Sequence, residues 1–323
     1  MLAERSITAR IDRVTHIDES IRLERPPAPR SVKIEATGGL CNFRCSFCTL
    51  RTRETQPTAA MDWELYKRLA REMKAAGVEE LGLFYISEPF FKPLRLVECI
   101  RYAKQIGFEY VFITTNGSLA NAMHLDMAMA AGLDSIKFSI NFSDDEQFTQ
   151  ITGRPARNYA WALENLKEAR RIRDEKGYGC GIYASSIQFS GEQQAKMAAI
   201  VDEHVLPYVD EHYWLPLYSF STGEEIQNVG KPISGNQGRI GALRDGLPCW
   251  SLWEGHIRSS TDGRKAYLSA CCFGSDGKFD VADLTEVSFM DAWHSPKFQE
   301  LRRAHLAKDV HGTVCEKCLA YGS

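Results

Sequence analysis

The stretch SVKIEATGGLCNFRCSFCTLR, residues 31–51, decides the reading of this chain. A β-rich run over 31–36 ends just before Gly38-Gly39, and Cys41, Cys45 and Cys48 follow at once in CxxxCxxC spacing. Outward from it, strand and helix signals alternate. DWELYKRLAREMKAAG (62–77) predicts a helix, with Asp62 as its cap, Leu65, Leu69 and Met73 as its apolar stripe and Gly77 at its end. Strands are expected at 81–86, 110–114, 134–140, 180–187 and 212–218, and helices at 94–106, 120–131, 158–177 and 192–204. Six strand signals separated by helices predict an α/β fold with a parallel sheet and right-handed crossovers. Such sheets bind ligands at the C-terminal strand ends, which is where the three cysteines lie.

The chain has 323 residues, enough for one large α/β domain and a small appendage. A formal charge of -3 provides no strong field for nucleic acid or an anionic membrane. No apolar run approaches the roughly 20 residues of a membrane span. The N-terminus lacks the apolar core of a signal peptide, so a cytoplasmic protein is expected. Residues 1–30, rich in arginine and ending in RPPAPR, are expected to form an extension or partner-contacting arm. After residue 218 the periodicity weakens, and 219–248 suggest a linker or loop over the mouth of the sheet. A boundary near 235–248 gives three parts: 1–30, 31–235 and 236–323. The last should hold a hairpin around 261–270 and a helix over 288–307.

Ten cysteines in a reducing compartment argue for metal ligation rather than disulfides. Eight fall in two groups: Cys41, Cys45 and Cys48, then Cys249, Cys271, Cys272, Cys315 and Cys318. Cys99 and Cys180 stand alone, as buried small side chains do. Thiolates are natural ligands of iron–sulfur iron. Three of them on a four-iron cube leave one iron open to chelation by a substrate. Zinc instead wants four closed ligands, and the nearest histidines in sequence are His16 and His124.

The cysteine loop, with Phe47 before its last cysteine, resembles the signature of the radical S-adenosylmethionine (SAM) superfamily. The resemblance covers roughly residues 31–218 and implies a partial (β/α)6 barrel. It also implies a [4Fe–4S] cluster on Cys41, Cys45 and Cys48 whose open iron binds SAM, with Phe47 among the cofactor-binding residues. SAM cleavage then yields a 5′-deoxyadenosyl radical that abstracts hydrogen from a substrate. LFYISEPFFKP (83–93) stands where the family has a GGEP-like motif, here without the glycines; Ser87 and Glu88 would serve the SAM amino group. Thr115-Asn116-Gly117 matches the family's TNG turn. In KFSINFSDDEQFTQITGR (137–154), Ser139 and Asn141 would face ribose or carboxylate and Arg154 would pair the carboxylate. Turn and cap chemistry is the plainer account of these polar residues.

The C-terminal cysteines resemble a SPASM or twitch module, a small α+β auxiliary-cluster domain. The resemblance implies a second [4Fe–4S] cluster on Cys249, Cys271, Cys315 and Cys318. No cysteines follow the last CxxC, so one auxiliary cluster and the twitch variant are expected. On spacing alone a zinc ribbon fits equally. Cys272 would be left over, beside the cluster. It would then serve as a hydrogen-atom donor, as in aminoglycoside radical epimerases, with Cys180 behind it, or else simply pack there.

Four activities follow. The first is epimerisation at a carbinol carbon of a sugar or aminocyclitol-type substrate. The second is dehydrogenation with the auxiliary cluster as electron acceptor, which needs a general base from among Asp134, Asp144, Glu146 and Glu88. The third is modification of a ribosomal peptide, although residues 1–30 are short for a leader-binding domain. The fourth, a noncatalytic metal-binding or redox-sensing module, does not account for the SAM-site segments. The expected partners are a carbohydrate-like small molecule and a flavodoxin or ferredoxin-type reductant. Tyr183, Trp214 and Tyr218 are candidates for the cavity lining.

Overall fold

The computed structural model describes residues 6–48, 50, 58–189, 191–215, 247–272, 274 and 277–316. Six parallel strands build the first part: β1 (Ser31–Ile34), β2 (Glu80–Gly82), β3 (Tyr110–Thr115), β4 (Ser135–Ser139), β5 (Gly181–Ile187) and β6 (Glu211–Leu215). They lie in sequence order, as right-handed crossovers require. The crossover helices are α2 (Trp63–Ala75), α3 (Pro93–Gln105), α4 (Ala122–Ala130), α5 (Asp145–Thr152), α6 (Arg157–Lys176) and α7 (Gly191–His204). This is a mixed α/β core whose sheet curves as a partial barrel and does not close. Alternation along each strand divides the side chains. On β4, Ile136 and Phe138 pack in the core, while Ser135, Lys137 and Ser139 line the interior.

The same sheet continues beyond β1. Strand β7 (Gly255–Ser259) pairs in parallel with β1, and β8 (Ala266–Ser269) and β9 (Asp280–Asp283) follow antiparallel, for nine strands among the described residues. The β7–β8 turn is the hairpin expected around 261–270. The helix expected over 288–307 is two, α8 (Phe289–Trp293) and α9 (Pro296–Leu306), because Pro296 cannot continue α8 and instead starts α9. Arg302 anchors α9. It is buried, lies 3.8 Å over Phe298 and 4.1 Å over Trp293, and donates to the Leu252 and Trp293 carbonyls. Burial pulls its guanidinium down to about 9.

Three expectations change. The N-terminal segment, expected as an extension or partner-contacting arm, packs against the chain's own barrel: α1 (Ile7–Thr15) lies across the strand starts. The Ile7 N–H donates to Glu211 at 2.7 Å, and Arg10 reaches Glu80 at 3.1 Å and lies 3.7 Å over the Tyr110 ring. Residues 21–27 then run beside the C-terminal part, where Trp253 and Trp293 donate to the carbonyls of Ile21 and Pro27. The second strand is shorter than 81–86, because Glu88 is drawn away, its N–H to the Leu40 carbonyl and its carboxylate into the turn after β3. Helix α5 was not anticipated, although Asp144 caps it through the Gln147 N–H and Gly153 ends it in the left-handed region. The 219–248 linker and the boundary near 235–248 fall almost wholly outside the described residues. Among those residues no helix is long and apolar enough to cross a membrane.

Candidate functional site

A cavity of about 850 Å³ occupies the barrel interior, from the loop after β1 down to α1. Cys41, Cys45 and Cys48 line its mouth. Two neighbours pin their loop. The Arg44 and Ser46 N–H groups donate to the Thr152 and Ile151 carbonyls at the end of α5, and Phe43 packs edge-on to Phe148 at 5.2 Å. From the other side, Asn116 donates to Asn42 at 2.9 Å and Asn42 to Ser118 at 2.8 Å.

Burial pushes the Cys41 thiol up to about 12, with the Glu88 charge adding to it, and burial raises Cys45 and Cys48 as well. Charge on Cys48 raises both other thiols, so three thiolates here need a cation among them. A cationic iron cube meets that need, and the donor set fits it. Nearby, Ser87 Oγ is buried without a hydrogen-bond partner among the described residues, an acceptor or donor left for a ligand. No three His, Cys, Asp or Glu side chains among the described residues converge as a single metal ion would require. His16 and His124 do not line the cavity.

Glu88 is the hub of the wall. Its Oε1 accepts from Thr115 Oγ1 at 2.7 Å and the Phe90 N–H at 3.0 Å, and its Oε2 from the Asn116 N–H at 2.8 Å. Burial raises its carboxyl to about 7, with those hydrogen bonds opposing the rise. Phe47, Ser87, Glu88, Thr115, Asn116, Ser139 and Asn141 all line the cavity. Arg154, beyond α5, does not, and its Nε is buried without a partner among the described residues.

Of the second cysteine group, Cys249 precedes the 3-10 turn Trp250–Trp253, and Cys271 and Cys272 follow β8. The Cys249 N–H donates to His305 Nδ1 at 3.2 Å. The Cys272 N–H donates to Ser251 Oγ at 2.9 Å, and Tyr85 donates to the Cys271 carbonyl. Cys315 is buried; Cys318 lies outside the described residues. Of this group, Cys272 alone among the described cysteines lines the cavity.

Several candidates fall elsewhere. Cys180 and Tyr183 line a separate cavity at the strand starts, because Tyr183 folds back over Gly181. Trp214 sits on the opposite face of β6 from Tyr213, which does line the barrel interior; Tyr218 lies outside the described residues. Asp134 binds Lys104 at 2.7 Å, Asp144 caps α5, and Glu146 accepts from Gln150, so of the four candidate bases Glu88 alone lines the cavity, with both oxygens engaged. Sequence reasoning passed over Lys33, Lys137, Tyr213, Trp250 and Glu254, which also line it. Strand alternation from Ser139 would have found Lys137. Lys33 binds Glu254 at 2.7 Å, and His256 lies 3.0 Å from the same carboxylate. Burial pushes the Glu254 carboxyl up, but Lys33 and His256 outweigh it and hold it at about 2.

The sequence family described as the radical SAM superfamily matches residues 37–181, and an iron–sulfur cluster-binding domain of the SPASM family matches 249–319. The chain belongs to the radical SAM superfamily, as an enzyme with an auxiliary SPASM domain. Membership implies SAM and iron–sulfur clusters as cofactors. A GTP 3′,8-cyclase of Chlorobaculum tepidum is 36% identical over 124 residues, which is 38% of this chain and only 36% of that protein. Among solved structures, SuiB of Streptococcus suis bound to precursor peptide SuiA superposes with a TM-score of 0.59 at 12% identity, covering 91% of this chain and 71% of SuiB. BtrN in complex with AdoMet and 2-DOIA superposes with a TM-score of 0.52 at 14% identity, covering 86% of this chain and 87% of BtrN.

Proposed function

We propose that this enzyme removes a hydrogen atom from a substrate seated in the barrel cavity, with Cys41, Cys45 and Cys48 holding one cluster and Cys249, Cys271, Cys315 and Cys318 a second. When bound at the first loop, a four-iron cluster supplies the electron that cleaves SAM to a 5′-deoxyadenosyl radical. One observation carries the reading: a single cavity is bounded at its mouth by three half-buried cysteines and contains Ser87, Glu88, Ser139 and Asn141 on its wall. Thr115 and Asn116 fix Glu88, and Glu88 fixes the cysteine loop through Leu40. Helix α1 lines the floor with Ile7, Arg10, Ile11 and Val14. A flavodoxin or ferredoxin-type protein would supply the electrons.

The relatives favour a peptide or nucleotide substrate over a sugar or aminocyclitol. SuiB holds a precursor peptide, and the GTP 3′,8-cyclase is named for a nucleotide. Modification of a ribosomal peptide is therefore the leading outcome; Cys249, Cys271, Cys315 and Cys318 would hold the group able to accept an electron from the substrate radical. Epimerisation is the second reading, favoured by Cys272 on the cavity wall. There its S–H bond would break, the hydrogen would go to the substrate radical, and the thiyl would be reduced by an electron and a proton from the external reductant.

Anaerobic protein incubated with SAM and dithionite should release 5′-deoxyadenosine; none under any reducing regime overturns the proposal. Cys272→Ala separates the two outcomes. An epimerase variant still forms 5′-deoxyadenosine but places no solvent deuterium at the substrate carbon, whereas oxidative product formation survives the substitution.

A further inference from the structure

Along β4 the cavity-facing side chains are Ser135, Lys137 and Ser139, stepping up from floor to mouth by about 6.6 Å each. Ser135 belongs to the floor: its Oγ receives the Tyr110 hydroxyl at 2.6 Å, and Arg10 covers the Tyr110 ring. Ser139 stands at the level proposed for SAM. Lys137 lies between the two. Its ammonium donates to the Tyr213 hydroxyl at 3.2 Å and has no carboxylate partner among the described residues. The other cations on the wall are matched, Arg10 by Glu80 at 3.1 Å and Lys33 by Glu254 at 2.7 Å. Trp250, on the β7 side, is 7% exposed, and its indole N–H is buried with no hydrogen-bond partner among the described residues.

The half-buried Lys137 ammonium faces the cavity with no compensating charge beside it among the described residues. A bound oxyanion would supply one, through the short charge-assisted hydrogen bonds that ammonium and carboxylate or phosphate form. We propose that the substrate carries a carboxylate or phosphate and that Lys137, with the Tyr213 hydroxyl beside it, receives that group. The indole N–H of Trp250 is a second donor available to the same substrate. A cationic substrate group at this depth would meet Lys137 as a like charge. The inference rests on the cavity's being the substrate site, and it makes Lys137 the residue that decides specificity between acidic and neutral substrates.

The test is the rate of amine acylation at Lys137 in the cluster-loaded full chain, read by peptide mass mapping with exposed Lys196 as internal control. Chloride, inorganic phosphate and acetate are compared at equal ionic strength, with and without SAM. Phosphate or acetate should slow acylation of Lys137 by about threefold or more, and chloride should not. The stronger of the two anions identifies the substrate group. In parallel, that anion should raise the thermal midpoint of the native protein and fail to raise that of Lys137→Gln; if the variant does not fold, the labelling result stands by itself. Equal rates in all three salts overturn the proposal. So does protection by SAM alone, which would assign the ammonium to the cosubstrate. Release of 5′-deoxyadenosine by the native protein without added substrate reads the radical SAM assignment separately, so failure of one leaves the other standing.

Discussion

Lys33 crosses the barrel wall beside Gly82, where a Cβ would come within 3.1 Å of the lysine Cγ and 2.9 Å of the Phe112 ring. The missing side chain lets the lysine stem lie flat and bring its ammonium to Glu254, 2% exposed. Glu254 titrates at about 2, below its ordinary value of 4.5. Its contribution to stability is therefore complete above pH 4.5 and is lost as pH falls towards 2. Lys33→Met removes the cation and leaves a buried carboxylate with a neutral histidine. Urea unfolding at neutral pH should show a loss of about 3–5 kcal/mol. Desolvation then raises the Glu254 carboxyl, so the deficit of the variant relative to the native protein should shrink as the pH is lowered from 7 to 5, a comparison that cancels the loss both proteins suffer from their buried histidines. A variant with native stability at pH 7, or with a deficit that does not shrink towards pH 5, would show that the pair contributes nothing.

At the scale of the element, the loop after β3 holds the site together. Gly117 has φ +80°, and a Cβ there would lie 3.0 Å from the Phe138 ring and 3.3 Å from the Ala162 backbone on α6. Both the dihedral and the space demand glycine. Because Asn116 ties this turn to Asn42 and Glu88, displacing it moves the cysteine loop. Gly117→Ala should cost about 1–2 kcal/mol in denaturation and weaken SAM binding measured by equilibrium dialysis, even though the glycine need not touch SAM. Unchanged affinity would separate the turn from the cosubstrate site. The helices and strands of the barrel were legible in the sequence to within a few residues, because burial on the helix side imposes a clear period. Helix α5 was missed although its cap and its glycine stop were in view, because SDDEQF and the motif around it invited a reading as loop. Helix α1 was missed because its few large apolar residues, Ile7, Ile11 and Val14, only acquire a partner when the strand starts come together.

At the scale of the whole molecule, one sheet runs from the first cysteine group to the second: β1 leads into the three-cysteine loop and pairs with β7, which runs on through β8 to Cys271. Two clusters of about four irons each are the proposed load, so anaerobically reconstituted protein should contain about eight irons per chain. Cys41→Ala should lose about half of that iron and all 5′-deoxyadenosine release, whereas Cys315→Ala should lose about half of the iron and retain SAM cleavage. Loss of all iron in either variant, or zinc in place of the second set of four, would break the two-site account.

The sequence by itself determined the class of chemistry, because ligand spacing is local: three cysteines within eight residues after a strand end up together whatever the rest of the chain does. It likewise determined the order of strands and helices, whose periods are local too. The tertiary structure alone decided which polar side chains share the cavity. It set Lys137, Tyr213 and Trp250 around one space, turned Trp214 away, sent Cys180 and Tyr183 to the other end of the strands and placed Cys272 on the wall. Those positions depend on the register between strands distant in sequence and on the floor laid by α1, which are properties of the assembled sheet that no single segment encodes.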